Sequence, residues 1–141
     1  MLIIFIRSIM ETYHVGGNSP IKLKVSTVTE AIVFTYVSLN DPVQPDKFIS
    51  DISFIVTPND GWKQINGGNP LNGRTLRIRT ILDFQNEFAD EITFNLAVEQ
   101  AKLNYIAELT GGDPEKFRTN FKTYPNYERN SVLFSGTMNL I

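Results

Sequence analysis

Cysteine is absent from this chain, and histidine and tryptophan occur once each. Without sulfur there can be no disulfide, thiolate nucleophile, zinc ribbon or iron–sulfur ligation. The single His14 would have to carry any triad or histidine-based metal site alone, so a surface or turn role is the expectation for it. Glycosylation sequons of the Asn-x-Ser/Thr type are missing, as are the Gly-x-Ser-x-Gly nucleophile elbow, the Gly-x-x-x-x-Gly-Lys-Ser/Thr phosphate loop and the Gly-x-Gly-x-x-Gly dinucleotide turn. No enzyme class is written into these residues.

Runs of one charge are also missing. The 13 Lys and Arg are scattered against 15 Asp and Glu, a formal net charge of −2. Nucleic-acid and anionic-membrane binders concentrate cations to displace counterions, so neither partner is expected. Long apolar runs are lacking as well. Met1 to Ile6 is apolar, but Arg7 interrupts it and no basic residue precedes it, which fits neither a signal peptide nor a membrane-spanning helix. A start at Met10, with residues 1–9 as an N-terminal extension, is the alternative to a short strand or an ordered tail there. Compartment stays open, a cytoplasmic or virion-associated setting suiting a cysteine-free chain best.

What is present is a composition of 42% hydrophobic and 20% charged residues over 141 positions, enough for one domain spanning 1–141 with a packed core. Apolar residues recur at every second position, the period of a strand with one buried face. Ile21, Leu23 and Val25 alternate with Lys22, Lys24 and Ser26. Ala31 to Leu39 is apolar at nearly every position and reads as a central strand covered on both faces. Phe48 to Val56, Thr75 to Phe84 and Val132 to Ile141 follow the same alternation, with Pro- and Asn-rich turns between them.

Two segments leave alternatives. Glu91 to Thr110 fits two alternating strands in a hairpin; it also carries good helix formers, a helical face of Val98, Ala101, Tyr105 and Leu109, and Gly111 and Gly112 as a helix end. The unbroken alternation favours the hairpin. Asp113, Pro114 and Glu115 resemble a helix start, which places one short helix near 113–122, ended by Tyr124-Pro125-Asn126. The expected fold is all-β and mostly antiparallel, a β-sandwich or flattened barrel of about seven strands with that one helix.

Three clusters are candidates for chemistry. Trp62 lies in a long Asn- and Gly-rich loop between Thr57 and Arg74, beside Asp60, Lys63, Gln64 and Asn66, the mix of ring and amide that recognises sugars or peptides. The carboxylates Asp83, Glu87, Asp90 and Glu91 could serve acid–base work or, like Asn40, Asp41, Asp46 and Asp51, offer oxygens to Ca²⁺; neither set has EF-hand spacing, and turn solvation explains both. Lys22, Lys24, Arg77 and Arg79 would form a basic patch if their strands were neighbours, although a solvated strand face is the simpler reading. Small size, the absence of catalytic groups and strand-like ends point to a non-enzymatic structural or interaction subunit of a larger assembly of phage, secretion or cell-surface type. Its partner would be another protein or a second copy. A carbohydrate- or ligand-binding module using the Trp62 loop is the alternative.

Overall fold

The computed structural model describes residues 11–15, 20–55, 61–65, 71–112, 116–118 and 121–141, with the backbone course alone for 50–55 and 116–118. In chain order the elements are β1 (Glu11–Tyr13), β2 (Lys22–Ser26), β3 (Ile32–Asn40), β4 (Phe48–Ile55), β5 (Lys63–Gln64) and β6 (Thr75–Asp83). Then follow α1 (Glu91–Asn104), β7 (Ile106–Thr110), β8 (Lys116–Arg118), β9 (Lys122–Asn126) and β10 (Ser131–Leu140).

These strands form two sheets. The larger has the order β1-β10-β6-β3-β4, with β9 beside the first half of β10 on the edge that β1 occupies beside its second half. The smaller has the order β5-β2-β7-β8. Every pairing is antiparallel except that of β1 with β10. The fold is a mostly antiparallel, all-β sandwich, as the alternating pattern implies.

Period two decides which side chains meet between the sheets. Val33 and Val37 of β3, Leu76, Ile78 and Leu82 of β6, and Val132, Phe134, Met138 and Leu140 of β10 face inward from the large sheet. Leu23 and Val25 of β2 and Ala107 and Leu109 of β7 meet them from the small one, in one continuous core. Removal of this apolar surface from water, at roughly 25 cal/mol per Å² buried, is what drives the two layers together.

Polar atoms inside the sandwich are paired in a chain: the hydroxyls of Thr35, on β3, and Thr80, on β6, lie 3.0 Å apart. That of Thr80 also meets the phenol of Tyr105, which leads into β7 and so joins the layers. The Tyr105 ring stacks on Phe134 with centroids 4.5 Å apart.

Among the described residues the helix lies in the segment where the alternation favours a hairpin over a helix, and not near 113–122. Residues 91–104 are helical, and the hairpin expected across 91–110 is not formed; only 106–110 is strand. Asp90 caps the helix, its carboxylate accepting from the Thr93 backbone N–H at 2.8 Å and the Thr93 hydroxyl at 2.7 Å. Phe94, Val98 and Ala101 then bury one face at helical spacing, so Ile92 and Leu96, which made the alternation look strand-like, point to water. Phe94 closes a ring cluster with Phe84, Phe88 and Tyr127 at centroid distances of 6.2, 6.2 and 5.7 Å.

The helix expected near 113–122 is corrected as well. Lys116–Arg118 and Lys122–Asn126 are strands, Pro125 sits at a sheet edge where its missing N–H is harmless, and Asp113, Pro114 and Glu115 lie outside the described residues. Gly111 and Gly112 follow a strand, not a helix. A Cβ on Gly111, which has φ of +98°, would stand 2.1 Å from the Pro20 carbonyl oxygen; one on Gly112 would stand 2.1 Å from that of His14. Only glycine lets these backbones approach.

Candidate functional site

The small sheet carries the residues expected to bind a ligand. β5 pairs with β2 so that Gln64 faces Lys22 and Lys63 faces Leu23. Continuing this register sets Trp62 against Lys24, whose ammonium lies 6.0 Å from the indole centroid. Lys24 is in turn opposite Glu108 on β7. Because Leu23 and Val25 point inward, Lys22 and Lys24 point outward. The outer face of the small sheet therefore presents half-buried Trp62 with Gln64, Lys22, Lys24 and Glu108. The long loop is thus partly an edge strand, anchored by buried Ile65 through its N–H to the Ile21 carbonyl at 2.8 Å. Asp60 and Asn66 lie outside the described residues.

Three of the candidate carboxylates are occupied by neighbouring backbone. Asp83 accepts from the N–H of Gln85, Asp90 caps α1, and Asp41 accepts from the N–H groups of Val43 and Gln44 at 2.8 and 3.3 Å. These bonds hold Asp90 and Asp41 below the usual carboxylate range, the state of acids used as structural acceptors. Among the described residues no three His, Cys, Asp or Glu side chains are grouped to hold a metal ion. His14 is exposed just after β1.

Lys22 and Lys24 do not join Arg77 and Arg79. The lysines lie on the outer face of the small sheet, the arginines on that of the large one, with the whole core between. The arginine face is more than a solvated surface. Along β6, Arg77 and Arg79 share one side; Ser38 and Thr137 flank the first, Tyr36 and Ser135 the second. Neither Nε touches water or finds a hydrogen-bond partner. The Arg77 guanidinium lies 4.2 Å from the Phe48 ring centroid. Loss of hydration, and then the neighbouring charge of Arg79, pull the Arg77 pKa down.

Beside the arginines the register aligns Tyr124, Leu133, Ile81 and Phe34 into one apolar row across β9, β10, β6 and β3. β3 is therefore fully covered only on its inner side: Phe34 is half-buried and Tyr36 exposed on the outer one.

A further surface went unread in the sequence because the hairpin reading hid it. With Phe94, Val98 and Ala101 buried, α1 turns Ile92, Leu96 and Leu103 outward at 75%, 67% and 81% exposure. With Glu99 they fall at i, i+4, i+7 and i+11, one stripe along the helix. A heptad count over 92–103 is the signal that would have found it.

No protein-family model, curated protein or solved structure matches the chain. No described helix is long and apolar enough to cross a membrane.

Proposed function

We propose that this protein is a non-enzymatic structural or interaction subunit of a larger assembly, of the phage, secretion or cell-surface kind, that binds another protein or a second copy of itself. The observation that carries this reading is the stripe on α1. Three large aliphatic side chains, each at least 67% exposed, lie on one helix face opposite the buried one. Single exposed apolar residues are ordinary, whereas an aligned set is the usual mark of a surface that a partner covers.

The test is the solution mass of the chain across a concentration series, for wild type and for Leu96→Asp with Leu103→Asp. Self-association or capture of a defined partner that the double substitution abolishes supports the reading. Identical behaviour of the two proteins in both assays refutes it.

A second reading rests on Trp62. Its half-buried ring, with Gln64, Lys22, Lys24 and Glu108 on the same outer face, has the apolar plane and the donors and acceptors that a carbohydrate needs. As the sole tryptophan, Trp62 reports directly. A saturable change in its fluorescence with an oligosaccharide set, lost in Gln64→Ala, supports this module, and a flat titration across the set removes it.

A further inference from the structure

We infer that α1 of one copy docks across the outer face of the large sheet of a second copy, with Glu99 reaching the Arg77 and Arg79 pair. This rests on the assembly reading above and names the surfaces it would use.

The lengths match. The row Tyr124, Leu133, Ile81, Phe34 crosses four adjacent strands, a span of about 14 Å at the usual strand spacing. From Ile92 to Leu103 the helix rises about 16 Å. A helix laid along the row would bring Ile92, Leu96 and Leu103 onto apolar side chains and would put Glu99, inside the same stripe, toward one flank.

The charges match as well. On the sheet, Arg79 lies two residues from Ile81 on the same side of β6, with Arg77 beyond it and Lys122 across from Ser135. Both arginine Nε atoms lack a hydrogen-bond partner and are shielded from water, a state that costs free energy until an acceptor arrives. A carboxylate is the acceptor that fits a guanidinium best.

On the helix, Glu91 and Glu99 share the flank with one base, Lys102, while Thr93 and Gln100 line the other, toward the Asp83 end of β6. Glu99 is held only by Lys102 at 3.3 Å, both side chains being well exposed, and such a surface pair contributes little, so Glu99 can exchange partners. Each copy carries both the helix face and the sheet face, so the contact either closes reciprocally as a two-fold dimer or adds copies head to tail.

The experiment is sedimentation velocity on the full chain over a concentration series at low and high salt. It compares wild type, Arg79→Glu, Leu96→Asp and Glu99→Arg, and a mixture of Arg79→Glu with Leu96→Asp. The first variant keeps an intact helix and the second an intact sheet, so together they can form one contact and no more.

Wild type should form a dimer or larger species that dissociate with salt. Each variant alone should weaken association by about 30-fold or more, the usual effect of removing one partner of a shielded charge pair or a central apolar anchor. The mixture should give a discrete dimer. Glu99→Arg changes an exposed helix position and keeps the test decisive if Arg79→Glu fails to fold, which circular dichroism would report. Association of wild type that Leu96→Asp weakens but Arg79→Glu and Glu99→Arg leave unchanged would overturn the docking mode and leave the assembly reading standing, and association that none of the three changes would overturn both. Wild type that stays monomeric throughout would overturn the docking mode and confine the assembly reading to a foreign partner.

Discussion

Tyr105→Phe isolates the hydroxyl chain that joins the two sheets. Tyr105 is buried, its ring stacks on Phe134 and meets Phe121 edge-on at 4.8 Å, and its phenol bonds the Thr80 hydroxyl. Phenylalanine keeps both ring contacts, and Thr80 keeps Thr35, so the loss near neutral pH is that of one hydrogen bond, about 1 kcal/mol.

Alkaline pH adds a second signal. Burial pushes the phenol pKa well above its usual range, whereas the unfolded chain ionises at about 10. A raised folded value means that Tyr105 contributes its full stability below pH of about 10 and loses it as pH climbs toward the folded pKa. One unit above the unfolded pKa the unfolded state has gained about 1.4 kcal/mol from ionising, a gain the phenylalanine variant cannot have.

Urea denaturation followed by far-ultraviolet circular dichroism should therefore show wild type ahead by about 1 kcal/mol at pH of about 8, with the difference vanishing or reversing near pH 11. A gap that stays constant across this range would refute the burial of the phenol. A loss above about 3 kcal/mol at neutral pH would show that more than one hydrogen bond depends on it.

Phe94→Ala should cost about 3 to 5 kcal/mol in the same assay, because it empties the centre of the cluster formed with Phe84, Phe88 and Tyr127. Gly111→Ala should destabilise by about 2 kcal/mol or more in thermal melts, since its backbone has φ of +98° and the new methyl group would strike the Pro20 carbonyl. Asp90→Ala should lower the melting temperature at neutral pH by removing the α1 cap, with the difference from wild type shrinking in acid. The bonds from Thr93 lower the folded pKa of Asp90, so its contribution is present above the ordinary carboxylate value of about 3.9 and fades as pH falls through the folded value. A difference from wild type that is independent of pH would show that the carboxylate charge plays no part in the cap.

Strand positions were legible because alternation is local. Ile21 to Val25, Phe48 to Val56, Thr75 to Phe84 and Val132 to Ile141 each announce one buried face, and the sheets contain strands at Lys22–Ser26, Phe48–Ile55, Thr75–Asp83 and Ser131–Leu140. The helix was not, because Ile92, Phe94, Leu96 and Val98 satisfy both periods over a short window. Burial of Phe94 and Val98 but not of Ile92 and Leu96 settles it, and burial depends on Phe84, Phe88 and Tyr127 arriving from distant positions. Short strands such as β5 and β8 have too few residues to show any period. Of the candidate site, Trp62, Lys63 and Gln64 were visible as residue types, but their neighbours Lys24 and Glu108 were not.

The class of fold, the core residues of the long strands and the exclusion of sulfur chemistry follow from composition and period two alone. Which outward-facing residues share a surface depends on how the strands are arranged in space. Strand order separates Lys22 and Lys24 from Arg77 and Arg79 by the full thickness of the core, and cross-strand register aligns Tyr124, Leu133, Ile81 and Phe34. Register is a long-range property, fixed by how whole strands bury their inner faces, and no local pattern on the outer face encodes it.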